Sequence, residues 1–550
     1  MSTDGGNGAK GDILLEMRGL RIEGQSDDQW REIVHGVDVV LRRGEVLGLI
    51  GESGAGKSTI GIASMGHARP GCRISGGSIV FDGIELTTAS EAAKRKLRGS
   101  RIAYVAQSAA AAFNPAHRLI DQYCETPVQH GIKRRAEAEA EARELYRRLQ
   151  LPDPDEIGFR YPHQVSGGQL QRAMTAMAMS CQPDLIVFDE PTTALDVTTQ
   201  IEVLAAIKDV VGQFHTAAIY ITHDLAVVAQ MADRIMVLRD GHLVEEGEAR
   251  EMLAAPKEDY TRRLLSVRTF RKEAVVGGPP PEPVLKIEHV SASYGATPLV
   301  LKDVSVEIHR ARTVAVVGES GSGKSTLARV ITGLLPPREG RIFFGGEELS
   351  PALTRRSRDQ LRRMQMIYQM PDTALNPRQR IHEIIGRPIE FYLGLTGARR
   401  RRRIEDLLSM IELEPSDFID RYPGELSGGE KQRICIARAL AADPELIICD
   451  EVTSALDQLV AEEILKLLQR LQDKLHLSYM FITHDLATVK AIADEIVVML
   501  RGEIVEQGEK QEVLTPPHHE YTELLLSSVP EMDPDWLDNL LEKRKAAPRA

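Results

Sequence analysis

Gly51-Glu52-Ser53-Gly54-Ala55-Gly56-Lys57-Ser58 and Gly318-Glu319-Ser320-Gly321-Ser322-Gly323-Lys324-Ser325 decide the reading of this 550-residue chain. Each fits G-x-x-x-x-G-K-[ST] and follows an apolar run, residues 46–50 and 314–317, that reads as a buried strand. The glycines let backbone N–H groups curl around a polyphosphate. Lys57 and Lys324 add a cation that reaches terminal phosphate oxygens, and the hydroxyls of Ser58 and Ser325 suit Mg²⁺. A helix opening at each lysine, through Thr59 and Thr326, points its positive end at the same place.

Further motifs follow each loop in the same order. The offset is 267 residues from Gly51 to Gly318, 262 from Gln107 to Gln369, and 261 from Ser166 to Ser427. It stays at 261 for Glu190 and Glu451, His223 and His484, and Tyr260 and Tyr521. A period this long is a duplicated domain rather than a solenoid repeat. The boundaries read as a disordered start (1–11), a first domain (12–268), a Gly/Pro-rich linker (269–283), a second domain (284–528) and a C-terminal tail (529–550). Disorder is expected for the tail from Glu542 onward.

Composition narrows the class. Hydrophobic residues make up 43%, as in folded globules, and the formal net charge of −12 disfavours a broad nucleic-acid surface. Five scattered cysteines without C-x-x-C spacing fit a reducing cytoplasm and argue against a metal or disulfide framework. No signal peptide is legible, and no apolar run approaches the ~20 residues of a membrane span, so the chain reads as soluble on its own. The most basic run, Arg399 to Arg403, reads as a solvated helix start, with anionic lipid head groups as the alternative.

The strands ending in Asp189-Glu190 and Asp450-Glu451 place two carboxylates beside each loop. The aspartates would hold Mg²⁺ through its water, and the glutamates would polarise water attacking the γ-phosphate. His223 and His484, also at strand ends, would orient that water. Gln107 and Gln369 are further Mg²⁺ ligand candidates at the ends of strands. Ser166-Gly167-Gly168 and Ser427-Gly428-Gly429 open helices, expected from Gln169 to Ser180 and from Glu430 to Ala441, with a good N-cap and exposed backbone donors. A second anion site within one domain is surplus, so each is expected to face the nucleotide of the other domain. Two ATP molecules would then be sandwiched head to tail under pseudo-two-fold symmetry.

At this point the chain resembles a fused pair of ATP-binding cassette (ABC) transporter ATPase subunits over nearly its whole length. The resemblance implies an α/β fold, with two P-loop NTPase nucleotide-binding domains in tandem. Each would have a RecA-like α/β core, an antiparallel β subdomain and a helical signature subdomain. Ala194-Leu195-Asp196 and Ala455-Leu456-Asp457 match the family's D-loop, whose aspartate contacts the opposite site. Asn114-Pro115, Asn376-Pro377 and the Pro-x-x-x-Tyr-Thr endings (256–261, 517–522) resemble the oligopeptide/dipeptide/nickel importer branch. Tyr294 matches the family's adenine-stacking aromatic in the second half. The first half has Gly24 there, with Trp30 the only nearby aromatic. The cysteine cluster of some relatives has no counterpart, and Val452 stands where the first half has Pro191.

What the resemblance implies is an ATPase using ATP and Mg²⁺ at the cytoplasmic face of a bacterial inner membrane. It would drive two permease subunits, docked in the grooves after Gln107 and Gln369, and be served by a periplasmic or lipid-anchored solute-binding protein. No nucleic acid is expected. A soluble tandem-cassette protein acting on ribosomes or DNA is the alternative. The short Pro-rich linker and the absence of paired-cysteine modules weigh against it.

Overall fold

Apolar runs that precede the two phosphate loops become central strands in the computed structural model. It describes residues 11–26, 29–192, 195–266, 272, 282–295, 297–454 and 456–546. The expected disordered start falls almost wholly outside these residues, as do most of the linker, Ala194 and Ala455. The chain divides into two units, residues 1–266 with 530–550, and residues 267–529.

In the first unit, Val46–Gly51 is buried at every position. It lies third in a six-stranded sheet ordered His242–Glu248, Arg234–Arg239, Val46–Gly51, Ala217–Ile221, Leu185–Asp189 and Ile102–Val105. All neighbours run parallel except the His242–Glu248 hairpin edge. Strands buried on both faces read as continuous apolar runs, which is why 185–188 and 217–221 carry almost no polar residue. A four-stranded antiparallel sheet, built around the hairpin Ile13–Ser26/Gln29–Arg42, forms a second layer. Its inward residues, among them Leu15, Met17 and Phe81, share one core with Leu47, Leu49 and Ile219. Helices Leu119–Gln129, Arg135–Arg148 and Gly167–Met179 make a third layer around Tyr123, Tyr146 and Leu170.

The second unit repeats this plan. Its main sheet is ordered Met364–Ile367, Leu446–Asp450, Ser478–Ile482, Thr313–Val317, Glu495–Leu500 and Glu503–Glu509, beside a four-stranded antiparallel sheet. The arginine run 399–403 lies on helix Gly397–Met410, where Arg401 pairs with Glu405 and Arg400 donates to the carbonyls of His382 and Gly386. Part of that run therefore braces the helical layer instead of standing free in solvent.

The tail departs from expectation. Residues 536–546 form a helix, so order extends to Ala546 where the sequence suggested disorder from Glu542. The cause is apolar burial: Leu537 is 0% exposed, and Leu540 joins the core cluster of the first unit with Leu541 packed against it. Burying two leucines contributes about 1.5–3 kcal/mol each, enough to order a short helix that is marginal alone.

Candidate functional site

Each phosphate loop emerges from the carboxyl end of the central parallel strand, where neighbouring strands also deliver their terminal residues. Gly51, Gly54 and Gly56 hold φ of 147°, 86° and 92°, and Gly318, Gly321 and Gly323 hold 152°, 85° and 106°. A Cβ on Gly51 would lie 2.1 Å from the Leu238 carbonyl oxygen, and one on Gly318 2.2 Å from that of Met499. Glycine is required there by space as well as by dihedral angle.

The lysines curl back into their loops. Lys57 Nζ donates to the carbonyls of Gly51 and Glu52, each at 2.8 Å, and Lys324 Nζ does the same with Gly318 and Glu319. Ser58 Oγ donates to Asp189 Oδ1 at 2.6 Å, and Ser325 Oγ to Asp450 Oδ1 at 3.1 Å. The sequence-predicted hydroxyl and carboxylate thus meet in both units across more than 120 residues of chain. Burial raises the Asp450 carboxyl above its ordinary value, against the opposing hydrogen bond from Ser325.

Beyond the aspartates, Glu190 and Glu451 adopt left-handed backbone conformations, φ 49° and 50°. Such values are uncommon for a side-chain-bearing residue. Their N–H groups are fixed by the carbonyls of Ile221 and Ile482, 2.9 Å each. Gln107 Nε2 donates to Glu190 Oε2 at 2.9 Å, and His223 Nδ1 lies 3.2 Å from Glu190 Oε1. In the second unit, Gln369 to Glu451 measures 2.6 Å and His484 to Glu451 3.3 Å. Burial opposes charge on both imidazoles, but the hydrogen bond and negative charge of the adjacent glutamate outweigh it. Both histidines therefore titrate above 6.5. Burial likewise opposes charge on Glu451, and His484 with Lys324 overcomes it, so its pKa is lowered.

Ser166 and Ser427 cap the helices Gly167–Met179 and Gly428–Leu440 through reciprocal capping boxes with Gln169 and Glu430. The glycines lie within the first helical turn, not ahead of it. A Cβ on Gly167 or Gly428 would meet nothing nearer than 3.8 Å. One on Gly168 would strike Thr199 at 2.1 Å, and one on Gly429 would strike Val460 at 2.6 Å. The first glycine of each pair is open, and the second allows close helix packing. Asp196 and Asp457 N-cap the helices Val197–Phe214 and Gln458–Leu475.

Tyr294 stands half-exposed, its hydroxyl 3.3 Å from Thr326 Oγ1 and 3.0 Å from the Arg329 guanidinium. In the first unit Gly24 pairs with Arg31 across two antiparallel strands, and Trp30 pairs with Gln25 under the Arg73 guanidinium, 4.2 Å from the ring centroid. Two sets of residues touch the site without the sequence having assigned them to it. The Tyr260 hydroxyl accepts from Glu52 N at 3.3 Å and the Tyr521 hydroxyl from Glu319 N at 2.7 Å, so both tyrosines brace a phosphate loop. Their exact repetition at 261 residues was the available signal. In the first unit alone, Tyr104 OH (2.6 Å) and Arg69 (3.3 Å) also hold Asp189 Oδ2.

Comparison with known proteins agrees with this geometry. The family described as ABC transporter matches residues 34–193 and 301–454. That described as oligopeptide/dipeptide transporter, C-terminal region, matches residues 505–550. A protein named glutathione import ATP-binding protein GsiA from Salmonella choleraesuis is 36% identical over 95% of this chain and 90% of its own length. The protein of that name from Escherichia coli strain K12 gives the same figures. Among solved structures, cbiO1 from Clostridium perfringens is 29% identical over 42% of this chain and 90% of its own, with a TM-score of 0.39. With a family match over the phosphate loop and paired carboxylates of each half, and a relative 36% identical over 95% of this chain, the chain belongs to the ABC transporter family, as a tandem ATPase of the oligopeptide/dipeptide transporter branch.

Proposed function

We propose that this protein is the energising subunit of an importer for small peptides or peptide-like solutes, glutathione among them, and that both nucleotide sites hydrolyse ATP. The observation that supports hydrolysis in both halves is the duplicated cluster. Lysine, serine, aspartate, glutamate, glutamine and histidine occupy matching positions in each unit, with matching hydrogen bonds. Import of a peptide-class solute is supported by the names of the relatives and by the C-terminal family match. These favour the transport reading over the ribosome or DNA alternative.

Lys57 and Lys324 would exchange their loop carbonyls for terminal phosphate oxygens and neutralise their charge, and the loop N–H groups would cradle them. Glu190 and Glu451 would accept the proton of the attacking water, while His223 and His484 would hold the γ-phosphate and that water in line. Ser58 with Asp189 and Ser325 with Asp450 offer the hard oxygen donors that Mg²⁺ prefers, and Gln107 and Gln369, whose amides donate to Glu190 and Glu451, would add theirs. When bound, Mg²⁺ supplies charge stabilisation to the phosphates. Ser166, Ser427 and the D-loop aspartates Asp196 and Asp457 are proposed to complete the sites on ATP-driven pairing of the cassettes.

The proposed partners are two permease subunits and an external solute-binding protein, which places the chain on the cytoplasmic face of the membrane. No described helix is long and apolar enough to cross a bilayer. In the second unit a groove of about 630 Å³ opens beside the segment after Gln369, lined by Tyr368, Asn376, Arg387, Phe391 and Tyr392. Phe391 and Tyr368 are 45% and 43% exposed there. A permease helix with an apolar face is its proposed occupant.

The decisive experiment replaces Glu190 or Glu451 with Gln in the protein assembled with its permeases. Each change is expected to cut turnover ~10²-fold or more while ATP still binds. Wild-type hydrolysis in either variant would remove that site from the scheme.

A further inference from the structure

The tail that orders against the first unit follows the second repeat in sequence, and its receptor is specific. Gln230, 3% exposed on helix Leu225–Met231, spends its whole amide on the tail. Its Nε2 donates to the carbonyls of Glu531 and Asp533 at 2.8 Å each, and its Oε1 accepts from Leu537 N at 2.9 Å. Arg250 forks onto Asp535 at 2.5 and 3.0 Å, and Lys208 reaches Asp538 at 2.9 Å. Leu537 and Leu540 complete the seat among Ile201, Leu204 and Val227.

The equivalent place in the second unit is also taken. Adding the repeat offset of 261 to Gln230 gives Ala491, and the Ala491 carbonyl accepts from Lys272 N at 2.9 Å. Lys272 Nζ then donates to Asp494 Oδ2 at 2.7 Å and Gln472 Oε1 at 2.9 Å, in a pair whose side chains are only 9% and 4% exposed. Lys272 follows the first repeat, and the same offset carries it to Asp533. Lys272, which follows the first repeat, and residues 531–537, which follow the second, therefore meet the same face of the repeat they do not belong to. That face belongs to the helix that starts directly after the switch histidine, His223 or His484.

We infer that residues 530–546 and Lys272 are exchanged ties: each follows one repeat in sequence and docks on the other, and together they hold the halves of the chain when nucleotide does not. This rests on the ATPase reading only for its purpose, since an ATPase that releases its cassettes each cycle needs another tie between them. The tie itself is independent of nucleotide.

The test places a protease site between Gly277 and Gly278 in the full chain and cleaves the folded protein without ATP or Mg²⁺. Sizing on dilution then reads whether the halves stay together. The cleaved wild type is expected to run as one species. Leu537→Asp should raise the concentration of half-dissociation roughly 30-fold or more, as loss of a buried anchor does. Adding Lys272→Glu should separate the halves outright. Arg250→Glu should weaken the tie and Asp535→Arg in the same chain should restore it, a rescue that misfolding cannot mimic. Separation of the cleaved wild type, persistence of the doubly altered protein as one species, or failure of the rescue would each overturn the exchanged tie. Because no nucleotide is present, none of these results bears on whether Glu190 and Glu451 are catalytic.

Discussion

At His223 and His484 the contest between burial and a neighbouring carboxylate is won by the carboxylate, which raises both imidazoles above 6.5. The sign of the linkage follows. A raised histidine pKa contributes stability that is complete below the unfolded value and is lost as pH rises through the native one. For the His484–Glu451 pair, the depressed glutamate sets the lower edge: its share is lost as pH falls through the native glutamate pKa. Nucleotide-free protein should therefore show ring signals titrating above 6.5, and Glu190→Gln should move the His223 signal down. A histidine unmoved by that change would mean that Glu190 does not set its charge. That these residues form one cluster was legible because each ends an apolar run and recurs at one offset. Tyr104 and Arg69 were not legible, because Met366 and Pro336 stand at the corresponding places in the second half and no repetition marked them.

Elements carry their own constraints. The turn from central strand to phosphate-loop helix leaves no room for a side chain at its first glycine. Gly51→Ala or Gly318→Ala must push the loop away from the Leu238 or Met499 carbonyl, at a cost on the order of 1–3 kcal/mol of local strain. The expected outcome is loss of ATP binding at the altered site with a melting temperature lowered by only about 2–10 °C, read by calorimetry and circular dichroism. A normal affinity would show that the loop need not hold this conformation. Sequence pattern located the helices after Ser166 and Ser427 but started them late, at Gln169 and Glu430. Glycine has low helix propensity, and only tertiary packing, Gly168 on Thr199 and Gly429 on Val460, draws those residues into the first turn. The tail helix was missed for a related reason. Leu537, Leu540 and Leu541 have helical spacing, but the face that buries them is formed by residues some 300 positions earlier.

Across the whole molecule, duplication has kept the reacting groups and let their surroundings diverge. Asp189 is held by Tyr104 and Arg69 as well as Ser58, whereas Asp450 has Ser325 and a carboxyl raised by burial. On the base side, the second unit offers the half-exposed ring of Tyr294, and the first has Gly24, paired with Arg31 across the antiparallel strands. Stacking a base on an aromatic ring is worth about 1–3 kcal/mol, so the two sites should bind ATP with affinities ~10-fold apart. In a chain carrying both Glu190→Gln and Glu451→Gln, calorimetry should resolve two classes of site. Adding Tyr294→Ala should weaken one class about tenfold and leave the other in place, bringing the two together. Equal weakening of both classes, or of neither, would show that Tyr294 is not the platform and that the asymmetry of the halves lies at the phosphate end.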